Sequence, residues 1–138
     1  KVFCGNLEKL DFRPLQGFMK GYIDLVFQHA GRFYLVDWKT NYLGPTLDDY
    51  NQLALFQTMQ KDLYILQYHL YTLALHQYLR YQKPKYCYEE NFGGVFYIFI
   101  RGVDHTRGPE TGVFFDFPDP DLVHTLGNTL IPGYVQTE

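Results

Sequence analysis

The chain has 138 residues, which is enough for one domain and too few for two ordinary ones. Hydrophobic residues make up 46% of the sequence, so a packed core can form and the composition argues against a disordered chain. The formal net charge of −3 lacks the basic surplus of a free-standing nucleic-acid-binding protein. Either the chain is not a DNA-binding protein, or a larger assembly delivers the DNA to it.

Cysteine usage and hydropathy bound the location of the protein. Cys4 and Cys87 have no zinc-binding spacing and are too few for a disulfide scaffold, which favours a reduced, cytoplasmic location. The sequence contains neither an apolar run of membrane-spanning length nor a signal peptide, so no membrane partner is expected. Because residue 1 is Lys and not Met, we expect the chain to be cut from a longer polypeptide.

A β-hairpin is predicted over residues 20–40, after an irregular lead-in over residues 1–19. Its two halves are rich in β-branched and aromatic residues, and an Ala-Gly turn signal separates them at positions 30 and 31. A two-residue loop there pairs Leu25 with Val36. Both faces of the hairpin then carry apolar pairs. We therefore expect it to lie in the middle of a layered α/β sheet, with the face of Leu25 and Val36 buried.

Two helices and two further strands are predicted downstream. Residues 46–80 contain both helices, with Thr46 as the first N-cap and a Lys-Pro pair ending the second. Residues 92–117 contain two strands, and residues 118–138 form a C-terminal segment with a short helix. The order ββααββα predicts an α/β fold with a mixed central sheet flanked by helices.

The hairpin register brings three charged residues together on one face. Asp24 lies opposite Asp37, and Lys39 follows two residues later, so its side chain points the same way. Two facing carboxylates in apolar surroundings repel each other and need a neutralising partner. That partner is either Lys39, in a plain ion pair, or a divalent cation such as Mg²⁺. A one-residue slip in register would put the carboxylates on opposite faces.

These residues belong to a longer family pattern. Asp24 within GYIDLVF, followed thirteen residues later by Asp37, Trp38 and Lys39, resembles the D…(D/E)xK core of the PD-(D/E)xK nuclease superfamily. Three longer blocks resemble successive stretches of the RecB nuclease-domain family: GFMKGYIDLVFQHAGRFYLVDWKTNYLG, LQYHLYTLALHQYLR and FGGVFYIFIRGVD. Together they cover most of residues 17–104. The resemblance implies one partial nuclease domain over residues 1–138, with a restriction-endonuclease-like core.

The resemblance also implies roles for individual residues. Asp24 and Asp37 would hold the metal together with the backbone carbonyl of Trp38, and Lys39 would be the catalytic lysine. The metal implied is Mg²⁺, for which Mn²⁺ or Ca²⁺ could substitute in binding.

A QxxxY motif and a missing histidine complete the comparison with the family. Gln67 and Tyr71 match the motif, and their spacing of four residues puts them on one helix face. They would brace the site and touch DNA, or they form a buried polar pair that joins helix to sheet. The family's further metal ligand, a histidine from an upstream helix, has no counterpart here. We interpret the five histidines present as surface or helix-rim residues: His29, His69, His76, His105 and His124.

The implied activity is hydrolysis of DNA phosphodiester bonds by a metal-dependent exodeoxyribonuclease. In the resembled family this domain belongs to a bacterial helicase–nuclease that processes double-strand breaks for recombination, which implies DNA, the RecC and RecD subunits and RecA as partners. Without the upstream histidine we expect the fragment to cut weakly or not at all. The alternative is a non-catalytic module that docks RecA or a partner subunit. An aromatic-rich ligand-binding domain is a more distant option.

Overall fold

The computed structural model describes residues 20–134, so the predicted lead-in, Cys4 and residues 135–138 lie outside the described part. The strands are β1 (Leu25–His29), β2 (Arg32–Lys39), β3 (Phe92–Phe99) and β4 (Val113–Asp116). The helices are α1 (Gln52–Lys61), α2 (Tyr64–Gln82), α3 (Tyr88–Asn91) and α4 (Pro120–Leu130), and a 3-10 turn over Leu47–Tyr50 precedes α1.

Strands β1 and β2 form the predicted hairpin. Ala30 and Gly31 both have positive φ angles, 48° and 81°, as a tight two-residue turn between antiparallel strands requires. The ladder pairs Leu25 with Val36, so the predicted register is confirmed. The first strand begins at Leu25 and not at residue 20, which leaves Asp24 just ahead of the ladder.

The four strands form one mixed sheet in the order β1-β2-β3-β4. β2 and β3 are parallel, while the two outer pairs are antiparallel. A parallel pair cannot be joined by a tight turn, and here the connection from β2 to β3 runs through α1, α2 and α3. The predicted α/β fold with a mixed sheet and flanking helices is confirmed.

The two faces of the sheet differ in burial. On one face Leu35, Val95 and Tyr97 have no exposed surface. On the other face Trp38 and Phe115 are each 49% exposed, and every residue of β1 is exposed. The prediction that the hairpin lies in the middle of the sheet, with the face of Leu25 and Val36 buried, is wrong for β1. β1 is one of the two edge strands of this sheet, and Leu25 lies on the same face as the exposed Trp38 and Phe115. On that face Val36, in an interior strand, is buried.

The helical region is interrupted at two points, of which the sequence pattern predicted only the boundary between the two helices. Asn51 has an extended backbone and caps α1 by accepting the N–H of Ala54. Leu63 has a φ of 58° and separates α1 from α2. The short helix α3 was missed, since four residues are too few to show a helical period. No helix within residues 20–134 has the length and apolar character needed to cross a bilayer.

Candidate active site

Asp24 is tied to the neighbouring strand through its side chain. It stands one residue before β1, where the antiparallel ladder has not yet started. Its Oδ2 atom accepts a hydrogen bond of 2.9 Å from the backbone N–H of Trp38 in β2. This bond holds the exposed carboxylate against the end of β2 and brings it close to the next acidic residue.

Asp37 and Lys39 are two residues apart in β2, so both side chains lie on the helix-covered face. Asp37 is 4% exposed and Lys39 is 9% exposed. The Nζ atom of Lys39 lies 2.5 Å from Oδ1 of Asp37, a buried ion pair. Burying two opposite charges costs free energy that their attraction only partly offsets, so such a pair needs further polar contacts.

The environment of Asp37 opposes its ionisation. Burial raises the pKa of Asp37 above its ordinary value, while the hydrogen bond and the charge of Lys39 lower it. The negative charge of Asp24 also raises the pKa of Asp37, to a smaller extent than burial does. A cation placed between them would relieve both the desolvation and the repulsion.

Lys39 is enclosed by groups that suit an ammonium ion. Its Nζ atom donates a hydrogen bond of 3.0 Å to Oε1 of Gln67. The same atom lies 3.9 Å from the ring centroid of Tyr64 and 4.9 Å from that of Tyr97, within the range of cation–π attraction. These contacts fix the amine beside Asp37 at the end of β2.

Gln67 and Tyr71 are brought to the site by one face of α2, one turn apart. Nε2 of Gln67 donates to the Tyr71 hydroxyl at 3.3 Å, and Oε1 accepts from Lys39 and from the Tyr97 hydroxyl at 2.9 Å. The motif therefore joins helix to sheet and touches Lys39 directly. Whether it also touches DNA stays a prediction.

Tyr64 and Tyr97 are site residues that the sequence analysis missed. Tyr97 lies in β3, directly beside Asp37 in the parallel register, and burial raises its pKa. Its strand is apolar from Val95 to Phe99, so the sequence does not distinguish Tyr97 from its neighbours, and only the pairing of β2 with β3 places it at the site. Tyr64 precedes Gln67 by three residues on α2, so helical spacing from the QxxxY motif could have indicated it.

The histidines do not contribute to this site. His69 and His76 are buried within α2, 5% and 3% exposed, so their interpretation as surface or rim residues is wrong. Nδ1 of His69 lies 2.6 Å from the Ile65 carbonyl, and the ring of His76 packs edge-on against Tyr88. His29 and His105 are exposed as expected.

The side chains at the end of β2 supply part of a divalent-cation site. Within residues 20–134 no three His, Cys, Asp or Glu side chains are grouped as a metal site. Two carboxylates stand at the end of β2: Asp24 is bonded to the backbone N–H of Trp38, and the buried Asp37 is paired with Lys39. Mg²⁺ is commonly held by one or two carboxylates with water and phosphate oxygens, so the residues present fit a partial Mg²⁺ site.

Comparison with known proteins identifies the family pattern. A model of the PD-(D/E)XK nuclease superfamily matches residues 5–130. The match confirms the resemblance and agrees with a restriction-endonuclease-like α/β core.

Three relatives named RecBCD enzyme subunit RecB are similar to most of the chain. The protein of Haemophilus influenzae is 51% identical over 119 residues, which is 86% of this chain and 10% of that relative. The protein of Escherichia coli is 49% identical over 114 residues, 83% of this chain and 10% of that relative. The protein of Mycobacterium tuberculosis is 39% identical over 131 residues, 91% of this chain and 12% of that relative. The chain thus spans about a tenth of the length of these relatives.

Proposed function

Because the chain belongs to the PD-(D/E)XK nuclease superfamily, we propose that it hydrolyses DNA phosphodiester bonds as the nuclease part of a RecBCD-type helicase–nuclease. The observation that supports this most directly is the buried Asp37–Lys39 pair with Asp24 beside it. A buried ion pair near a second carboxylate is costly for a purely structural element, and the same arrangement suits metal-assisted phosphoryl transfer.

Each residue of the group has a proposed role. Asp24, Asp37 and the backbone carbonyl of Trp38 would hold Mg²⁺, which when bound supplies Lewis-acid stabilisation of charge on the phosphate. Lys39 would donate hydrogen bonds to the attacking water or to a non-bridging phosphate oxygen. The water oxygen forms a bond to phosphorus and releases a proton to solvent as one ester P–O bond breaks, and the departing oxygen takes up a proton from solvent.

Gln67 and Tyr71 would act through Lys39. The Gln67 amide oxygen holds the lysine amine at 3.0 Å, so rotation of the amine away from the reacting phosphate is restricted. Tyr71 in turn binds the amide nitrogen of Gln67 and sets its orientation. Correct placement of a catalytic group contributes strongly to rate, which is why we assign these two residues a positioning role.

The wider context follows from the relatives named RecBCD enzyme subunit RecB. We propose a cytoplasmic bacterial protein that acts with RecC and RecD on DNA ends and contacts RecA. Delivery of the strand by such an assembly would account for a nuclease with a net charge of −3, since electrostatic attraction need not concentrate the DNA.

Metal binding and cleavage test the proposal separately. Calorimetric titration with Mn²⁺ or Ca²⁺ should give saturable heat for the chain and none for Asp37→Ala. Glu110→Ala, which removes an exposed acid in the β3–β4 loop, is the matched control and should bind as the parent does. With Mg²⁺ and DNA, Lys39→Ala should lower the cleavage rate by at least about 100-fold. Undiminished cleavage by Lys39→Ala would refute the role given to that lysine.

A non-catalytic docking module is the second candidate. It is favoured by the exposed apolar side chains on the open face of the sheet, which include Leu25, Phe27, Trp38 and Phe115. On this view Asp24 and Asp37 are a structural remnant of a former active site. Equal titration heats for the parent and Asp37→Ala, together with no cleavage by the parent, would favour docking over catalysis.

A further inference from the structure

An apolar groove opens on the side of α2 that carries Gln67 and Tyr71. Its volume is about 780 Å³. Leu66, Leu70 and Ala74 form a stripe along its floor at successive turns of α2. The segment before β1 forms one wall, and the end of α4 forms the other, with Lys20, Gly21, Ile23, Leu130 and Ile131 as lining residues.

The groove is continuous with the proposed active site. Gln67 belongs to both, because it lines the groove and its Oε1 atom lies 3.0 Å from Nζ of Lys39. The wall formed by the segment before β1 packs tightly against Tyr71, since a Cβ atom on Gly21 would lie 2.7 Å from Cε1 of the tyrosine ring. The groove and the proposed active site are therefore neighbours that share Gln67.

We propose that this groove is a subsite for the unpaired base of the nucleotide next to the scissile phosphate; the inference rests on the proposed nuclease function. The cavity has the size and mostly apolar lining of a small-molecule site, with a few polar groups at one end. Nucleobases present flat apolar faces that bind aromatic and apolar side chains with little dependence on sequence. A tyrosine hydroxyl that accepts from Gln67 still has its own hydrogen to donate to a base edge.

The charge distribution agrees with this occupant. Lys20 stands at the rim of the groove, where its ammonium group can face a backbone phosphate while the base is inside. A base in a duplex cannot enter without being unpaired and unstacked, so the groove would select single-stranded or frayed DNA. An apolar peptide segment would contact the floor equally well but would offer no anionic group to Lys20.

Single abasic positions in an oligonucleotide test the subsite. The full chain is given, with Mg²⁺, single-stranded oligonucleotides that carry one tetrahydrofuran abasic residue at each position in turn. Cleavage should fall roughly tenfold at the bond lying at one fixed offset from the abasic residue, because a stacked base contributes substantially to binding. Ala74→Trp fills the floor and should remove this offset effect. Tyr78→Trp is the matched control, since it places the same ring one turn further on α2, outside the groove, and should retain the effect.

Binding provides a readout that does not need cleavage. In a Lys39→Ala background, fluorescence anisotropy should show an oligothymidylate binding roughly tenfold more tightly than a fully abasic strand of equal length. Equal affinities, or an offset effect that persists in Ala74→Trp, would overturn the subsite. A lower melting temperature for Ala74→Trp with the offset effect intact would indicate a protein segment in the groove and would also overturn it. If the parent cuts no substrate but the binding contrast holds, the nuclease function fails and the base subsite stands.

Discussion

Oε1 of Gln67 accepts two hydrogen bonds, one from Nζ of Lys39 at 3.0 Å and one from the Tyr97 hydroxyl at 2.9 Å. One amide oxygen on α2 thereby links the last residue of β2 to the middle of β3. The two donors come from parallel neighbouring strands, and the sheet alone does not determine where the lysine amine points. Gln67 supplies that constraint.

Replacing Gln67 with Leu should slow catalysis and destabilise the fold. The substitution keeps the size of the side chain but leaves the Lys39 amine and the Tyr97 hydroxyl without their shared acceptor. We expect the single-turnover cleavage rate to fall at least about tenfold below that of the parent. We also expect a loss of about 1–3 kcal/mol in the free energy of unfolding. Quench-flow cleavage and urea denaturation measure the two effects.

The exposed Gln57 on α1 offers a matched control for this substitution. Gln57→Leu should leave both the rate and the free energy of unfolding nearly unchanged, since surface changes of this kind are usually small. A Gln67→Leu protein with parental cleavage would show that Lys39 does not depend on Gln67 for its position.

Replacing Lys39 with Met should destabilise the fold by about 3 kcal/mol, because Asp37 would remain buried without its cationic partner. The double substitution Lys39→Met with Asp37→Leu removes both charges and should recover most of that loss. Urea denaturation of the parent, both single variants and the double variant gives the coupling free energy. A double variant no more stable than Lys39→Met alone would mean that the pair is not the cause of the loss.

The site was predictable from sequence as far as local periodicity reaches. The two-residue turn sets the hairpin register, and alternation along β2 then puts Asp37 and Lys39 on one face, as the structure shows. The neighbour of Asp37 in β3 is Tyr97, and this contact depends on a parallel pairing across three intervening helices. No local pattern encodes such a pairing, so Tyr97 was missed.

Burial of the hairpin was overestimated for a related reason. Composition shows that Leu25 and Phe27 are apolar, but it does not show which strand lies at the edge of the sheet. Both residues are exposed, 42% and 37%, because they lie on the exposed face of the sheet in a strand at its edge. Strand order depends on contacts between distant segments, which a pattern within one segment cannot provide.

Two loop glycines should respond very differently to substitution by alanine. Gly112 has a φ of 72°, and an added Cβ would lie 2.3 Å from the backbone carbon of Gly102. Gly108 also has a positive φ, 57°, but nothing lies within 4 Å of its added Cβ. We expect Gly112→Ala to cost about 3 kcal/mol or more and Gly108→Ala about 1 kcal/mol, measured by urea denaturation. Equal costs would show that the packing of Gly112 against Gly102 is not rigid.

The buried His76 should make stability depend on pH. The pKa of His76 is lowered from 6.5 to about 4, mainly by burial; the charges of Arg80 and His124 contribute to this decrease, and Glu89 opposes it. The unfolded chain therefore binds a proton at His76 between pH 6.5 and 4 where the folded chain does not. The stabilising contribution is complete above pH 6.5 and is lost as pH falls towards 4, by up to about 3 kcal/mol.

A His76→Phe variant isolates this contribution, because it keeps an aromatic ring in contact with Tyr86 and Tyr88 but cannot be protonated. Plots of the denaturation midpoint against pH should differ in slope between pH 6.5 and 4. The parent should lose stability faster than the variant as the pH falls. His69, whose pKa is also lowered by burial, is present in both proteins, so its effect cancels in the difference. Parallel pH profiles would mean that the folded protein takes up a proton at His76 as readily as the unfolded chain does.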